Sequence, residues 1–161
     1  MLDRLSQFET IVRKAKDFTT ETLEPKGSLH AFDERNIHPA ISDIAKKLFD
    51  DGHYSQATFE AFKFIDREVH RLSSVSESGY KLMMNAFNEA SPKIKLTDLK
   101  TSSQVNEQMG FKFIFSGSVM AIRNPRGHEY SVKETPDECL DHLSLASMLQ
   151  RRLDQSLLIK K

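Results

Sequence analysis

Apolar residues recur at three- and four-residue spacings along most of this chain, the pattern of helices that bury one face. The first stripe is Leu5, Phe8, Val12 and Ala15, reaching towards Phe18. It fades in Thr19-Thr20-Glu21-Thr22, and Pro25-Lys26-Gly27-Ser28 reads as a linker. Residues 1–36 are expected to form an N-terminal helical arm, and residues 37–161 a helical bundle domain. Pro39 predicts the first residue of a second helix, with Ile41, Ile44, Ala45 and Leu48 on its inner face. Asp50-Asp51-Gly52 ends it, Gly52 serving as a C-terminal cap. A third helix follows from about Tyr54, with a stripe of Thr58, Phe62, Ile65, Val69 and Leu72 beside the small residues Ala57 and Ala61. So short a turn predicts antiparallel neighbours.

Ser73 to Ser78 reads as a loop, and Tyr80, Met83, Met84 and Phe87 mark a short fourth helix. Pro92 to Ser102 reads as irregular. Ile94 and Leu96 alternate there with lysines, which admits a short, isolated strand. A fifth helix is predicted from about Ser103 to Ile122. Met109, Phe111, Phe113, Ile114, Phe115, Val119, Met120 and Ile122 cover most of its circumference, with Gly110 and Gly117 keeping its surface thin. A helix apolar nearly all round is central in a bundle or buried in an interface. The last helix has the clearest start. Thr135 is its N-cap, Pro136 its first residue, and Glu138 closes a capping box. Its stripe is Cys139, Leu143, Ala146, Leu149, Leu153 and Leu157. The fold class is all-α, an antiparallel helical bundle with an N-terminal arm.

Composition narrows the picture. At 161 residues the chain is one domain with an arm. Its formal net charge is zero, so no global field draws it to nucleic acid or membrane. Residues 1–90 nevertheless hold 12 Lys/Arg against 15 Asp/Glu, and residues 91–161 hold 11 against 8. The basic excess lies in the second half. The single Cys139 excludes an internal disulfide framework, and its place on an apolar stripe makes it a buried thiol. The amphipathic start lacks the apolar run of a signal peptide, and no stretch reaches transmembrane length. A cytoplasmic location with no membrane partner is expected.

Arg123-Asn124-Pro125-Arg126-Gly127-His128 carries the densest chemistry. Pro125 opposes a regular helix through this stretch and biases Asn124 away from the α region. An unbroken helix would set Arg123 and His128 on roughly opposed faces. A kink at Pro125 and a flexible Gly127 let both side chains converge. A guanidinium and an imidazole at one point hold a phosphate and move a proton beside it. The plainer reading is a helix C-terminus, since basic residues followed by Pro and Gly are ordinary stop signals. Other chemistry is sparse. None of the six histidines has another three or four residues away, and there is no cysteine pair, so neither a metal site nor a cofactor is expected. There is no Gly-rich phosphate loop and no Gly-x-Ser-x-Gly elbow. His38 and His53 sit beside helix ends and read as capping or surface residues. Tyr130 reads as a surface loop residue or as part of the site.

The six-residue stretch resembles the Arg-x-x-x-x-His motif of the HEPN superfamily (higher eukaryotes and prokaryotes nucleotide-binding), in which a polar residue such as Asn124 often follows the Arg. The wider pattern of Leu48-Phe49, Gly52-His53-Tyr54, Ala57, Glu60-Ala61, Gly79, Leu82-Met83, Gly110 and Gly117 is similar to the conserved-hypothetical "Ymh" branch, over roughly residues 37–153. Residues 1–36 lie outside it. The resemblance implies a HEPN-like helical bundle. It implies a metal-independent endoribonuclease acting in a toxin–antitoxin or antiviral abortive-infection system. It also implies a homodimer that brings two motifs together. Arg123, Asn124 and His128 carry the catalytic positions. A non-catalytic domain that binds RNA, a nucleotide or a partner protein is the alternative. Some HEPN toxins extend the motif to a Tyr that an antitoxin modifies, and Tyr130 fits that spacing. If RNA is the substrate, Arg126, Lys93, Lys95, Lys100, Lys112 and Lys133 are the candidate backbone contacts.

Overall fold

The protein is known from a computed structural model, which describes residues 7–11, 29–129 and 132–159, with side chains as far as Ser156. The chain divides into two compact units, Met1–His30 and Ala31–Lys161. In the first, residues 7–11 are helical with Phe8 and Ile11 exposed. Leu5, Val12, Ala15 and Phe18 of the expected stripe, and the linker Pro25–Ser28, lie outside the described residues. The second unit begins earlier than the boundary the sequence suggested. Its first turn buries Phe32, which is 2% exposed.

The second unit is an all-α bundle, with no strand among the described residues. Its helices are α1 (Ala31–Glu34), α2 (Pro39–Asp50), α3 (Tyr54–Ser73), α4 (Gly79–Ala86), α5 (Ser102–Ser118), α6 (Asn124–His128) and α7 (Pro136–Ile159), with a π-turn at Val119–Arg123 between α5 and α6. Local chemistry fixes most ends. His38 caps α2 by accepting the Ala40 N–H at 3.2 Å, and Pro39 fills the first helical position, where no N–H is needed. Gly52 turns the chain back at φ +79°, a left-handed conformation that glycine adopts without strain. At α7, Thr135 and Glu138 exchange hydrogen bonds in the expected capping box. The Thr135 N–H and hydroxyl hold the Glu138 carboxyl below its ordinary pKa. A second box, Thr101 with Gln104, starts α5 one residue before the expected Ser103.

α3 is the central helix. It packs against α2, α4, the π-turn, α6 and α7. Ala57, Ala61, Phe62, Ile65 and Val69 of its inner face are fully buried. They meet Cys139, Leu143, Ala146, Leu149 and Leu153 of α7, also at 0% exposure, in one core cluster. Each large side chain so buried contributes about 2 kcal/mol.

The segment between α4 and α5 is irregular, as expected, and the alternation within it forms no strand. Ile94 and Leu96 are each 1% exposed while Lys93 and Lys95 face water. Their backbone is satisfied by the buried amide of Gln108 instead of a second strand. Its Oε1 accepts the Leu96 N–H at 2.8 Å, and its Nε2 donates to the carbonyls of Phe87 and Ile94.

α5 is not central. It packs on α4 and the π-turn and buries Gln108, Lys112, Phe115, Ser116 and Ser118. Phe113, Ile114 and Met120 remain 55%, 41% and 53% exposed. Gly110, Gly117 and Ala121 along the same stretch are exposed as well. The apolar circumference thus splits into a face that packs within the bundle and a face left exposed among the described residues.

Candidate functional site

The helical path does not stop at Pro125. Asn124 N–H reaches back to the Val119 carbonyl across the π-turn, and α6 continues to His128. Asn124 keeps helical angles, φ −64° and ψ −45°, contrary to the bias expected from the following proline. The extra residue of the turn accounts for how the Pro125 ring itself fits into the helical path. In a regular helix the proline ring strikes the carbonyl four residues back. A π-turn bonds to the fifth residue back and displaces that carbonyl. The helix is locally widened over Val119–Arg123, just before Pro125.

The turn sets out the three motif side chains. Arg123 is half-buried, and its Nη1 donates to Asn124 Oδ1 at 3.2 Å. Its guanidinium lies over the ring of Phe59 on α3, 5.8 Å from the centroid. Its Nε is buried and has no hydrogen-bond partner. His128 is exposed at the end of α6. No hydrogen bond joins Arg123 to His128 among the described residues. The structure therefore brings Arg123 and Asn124 together and leaves His128 presented to solvent on the same short helical segment. Gly127 lies against the Phe59 ring, where an added Cβ would stand 3.0 Å from Cε2.

Arg126, a candidate for RNA, is committed inside the protein. Its Nε donates to Glu134 Oε2 at 2.8 Å and its Nη1 to the Ile122 carbonyl at 2.9 Å. The side chains of Arg126 and Glu134 are 9% and 1% exposed. Glu134 Oε1 also accepts the Thr58 hydroxyl at 2.8 Å and meets His142 Nδ1 at 2.7 Å. A buried carboxylate with this many donors is the arrangement that offsets its desolvation. The network ties the π-turn, the segment leading to Thr135, α3 and α7 into one unit under the motif.

The lysines divide. Lys112 is 6% exposed and pairs with Glu89 at 2.6 Å, so it is not available to a ligand backbone. That hydrogen bond is the first cause of a lowered Glu89 pKa. Lys93, Lys95, Lys100 and Lys133 are exposed, and Lys100 pairs with Asp98 at 3.3 Å. Tyr130 lies outside the described residues. Lys133 borders an open cleft of about 570 Å³ beside α6, whose walls also include His53, Tyr54, Gln56, Arg126 and Glu129.

The remaining candidates are structural. Among the described residues, no three His, Cys, Asp or Glu side chains are grouped to hold a metal ion. Cys139 is buried, as expected. Its thiol contacts the Thr58 hydroxyl at 3.5 Å and the Tyr54 carbonyl at 3.4 Å. Burial pushes its pKa up to about 11, so it is a protonated packing group at neutral pH. His38 is a cap, and its Nε2 lies 2.9 Å from Asp154 Oδ2. His53 is exposed and caps nothing with its side chain. Two members of the site escaped the sequence reading. Phe59 is an apolar residue one position off the core stripe of α3, and that displacement was its signal. Glu134 lies between the Arg–His stretch and the α7 capping box, a carboxylate in the basic half.

No helix among the described residues is long and apolar enough to cross a membrane. A family described as "Protein of unknown function (Hypoth_ymh)" matches residues 35–153. No curated protein and no solved structure matches the chain.

Proposed function

The chain belongs to the Hypoth_ymh family, and we propose that it is a metal-independent endoribonuclease of the HEPN type that acts as a homodimer. One observation carries the reading. Arg123 and Asn124 are tied together on a π-turn that leads directly to the exposed imidazole of His128. RNA is cut when its 2′-OH attacks the adjacent phosphorus and the 5′-oxygen leaves. The reaction needs a base for the hydroxyl, an acid for the leaving oxygen and donors for the charged phosphorane. His128 takes and returns the proton. Arg123 presents a planar fork to the phosphate oxygens, and Asn124 fixes the orientation of that fork. The products are a 2′,3′-cyclic phosphate and a 5′-hydroxyl. DNA, lacking the 2′-OH, is not cut.

The exposed face of α5 supports the homodimer. Phe113 and Ile114, with Gly110 and Gly117 on α5 and Met120 and Ala121 on the π-turn, form an apolar strip that ends at the motif. A twofold axis along it uses the same patch from both chains and sets two Arg123/His128 pairs in one groove. Lys133 and the cleft beside α6 then line the approach of the strand. On this reading the protein works in the cytoplasm as a toxin or abortive-infection effector, restrained by an antitoxin or another defence protein.

The test is incubation of the purified protein with total RNA in EDTA, with the new ends mapped. Cleavage to cyclic phosphates is expected to survive the chelator. It should fall about 100- to 10,000-fold in His128→Ala, the usual worth of acid–base catalysis. Arg123→Lys, a point charge without the fork, should be severe as well. Undiminished cleavage by His128→Ala ends the reading. Tight RNA binding without cleavage by the wild type replaces it with the non-catalytic alternative.

A further inference from the structure

A second concave site shares no lining residue with the cleft beside α6. It is a cavity of about 410 Å³ between the N-terminal half of α5 and the middle of α7, bordered by Arg35, Glu107, Phe111, Met148, Arg151 and Arg152. This lies within the usual size of small-molecule pockets, about 300–1,000 Å³. Three guanidinium groups border it against one carboxylate, Glu107.

Arg151 is the informative side chain. Its guanidinium is held by neutral oxygens alone. Nη1 donates to Ser147 Oγ, and Nη2 to the Asn36 carbonyl at 2.6 Å. No carboxylate pairs with it among the described residues. The anchor is rigid, since Ser147 is 2% exposed and its Oγ also accepts the His38 N–H at 2.8 Å. Arg151 is thus a pre-oriented cation without a counter-ion. Arg152 differs. It pairs with Glu107, lies over the Phe111 ring at 4.9 Å, and keeps its buried Nε unpaired. Arg35 pairs with Asp141 at 2.5 Å, but both side chains are exposed. Exposed pairs are weak, so Arg35 turns to an incoming anion at little cost. Met148, 40% exposed, supplies an apolar wall.

We infer that this cavity binds a phosphomonoester carried on a flat organic body. The phosphate sits on Arg151, with Arg35 as its second cation. A planar fork matches phosphate oxygens two at a time, and the net positive lining matches a doubly charged group. The flat body lies against Met148 and the Arg152–Phe111 stack, because planar rings stack on guanidinium planes and aromatic faces. The site uses neither Arg123 nor His128, so the inference stands or falls apart from the ribonuclease reading.

Calorimetric titration of the full-length protein tests it, with adenosine 5′-monophosphate, adenosine and inorganic phosphate as three separate probes. The monophosphate is expected to bind saturably and at least tenfold more tightly than either fragment. Arg151→Gln should weaken it at least tenfold, and so should Met148→Glu, which adds a negative charge at the exposed wall. Arg123→Ala should leave it unchanged. If Arg151→Gln does not fold, Met148→Glu decides. The inference is overturned by absence of saturable binding, by phosphate or adenosine binding as tightly as the monophosphate, by insensitivity to Met148→Glu, or by loss in Arg123→Ala.

Discussion

Gly127 and Phe59 are packed so closely that a single added methyl group would stand 3.0 Å from the Phe59 ring. The same ring carries the Arg123 guanidinium at 5.8 Å. A change at Gly127 is therefore transmitted to Arg123 through the ring between them. Gly127→Ala is expected to cost about 1–2 kcal/mol of stability, the usual toll of overpacking. It should also reduce RNA cleavage beyond what the lost stability explains. Urea unfolding and cleavage rates measure the two effects. Phe59→Leu, which frees space, should restore part of the stability in the double variant. Full additivity of the two substitutions would show that they do not communicate.

The Arg126–Glu134 pair is buried at both ends, and removing Arg126 leaves the Glu134 carboxylate with only the Thr58 hydroxyl and His142 beside it. Arg126→Met should destabilise the protein by about 3–5 kcal/mol, as for other broken buried pairs. Arg126→Met combined with Glu134→Gln should cost less than the sum of the two single changes, because neither charge is then stranded. Chemical denaturation of the four proteins gives the coupling.

A negative charge on the uncovered face of α5 separates a surface that meets a second copy from one that meets water. Phe113→Glu should turn a dimer into a monomer in sedimentation at micromolar concentration, with little change in unfolding of the single chain. Cleavage should fall with the dimer. A wild-type monomer with full activity at nanomolar dilution would refute a site shared between two chains. Mixing Arg123→Ala with His128→Ala chains tests for complementation across the twofold axis.

Cys139 reports on the packing of α3 against α7. Its pKa is raised from 9.0 to about 11 by burial. The folded state therefore holds the thiol proton more tightly than the unfolded state does. The stability linked to this group is fully present below pH 9 and is lost as pH rises from about 9 towards 11. Native protein at pH 8 should react with a thiol reagent only as fast as it opens. Cys139→Ala should flatten the alkaline loss of stability over that window. Rapid labelling of the native chain would contradict the burial.

The legible parts of this fold are those specified by neighbours in sequence. Pro39, Gly52, and Thr135 with Glu138 each act within a few residues, and each was readable. The α7 stripe was readable as far as Leu153 because every third or fourth position enters one core, while the side chain of Leu157 lies outside the described residues. Gln108 was not. Its role depends on Phe87, Ile94 and Leu96, which folding brings to its amide. Arg126 and Lys112 read as free cations because their partners, Glu134 and Glu89, are fixed by tertiary packing. Pro125 misled for a different reason. The rule that proline breaks a helix assumes a regular turn before it, and nothing local in Val119–Arg123 announces an irregular one.

The π-turn lets the Arg–His segment absorb a change in length. Each residue of an α-helix advances the chain by about 100° around its axis, and a π-turn takes about one residue more to go once round. The residue that Val119–Arg123 holds beyond a regular turn is therefore taken up within the turn, and the helix after it keeps nearly the phase that a regular turn would give. Deleting one residue there would leave His128 on nearly the same side of the helix relative to Phe113. It would also return the Pro125 ring to the carbonyl it now avoids. In this stretch a one-residue gap does not by itself break equivalence. A relative with the same Arg and His but one residue fewer before them, and no proline between them, presents those side chains in nearly the same direction.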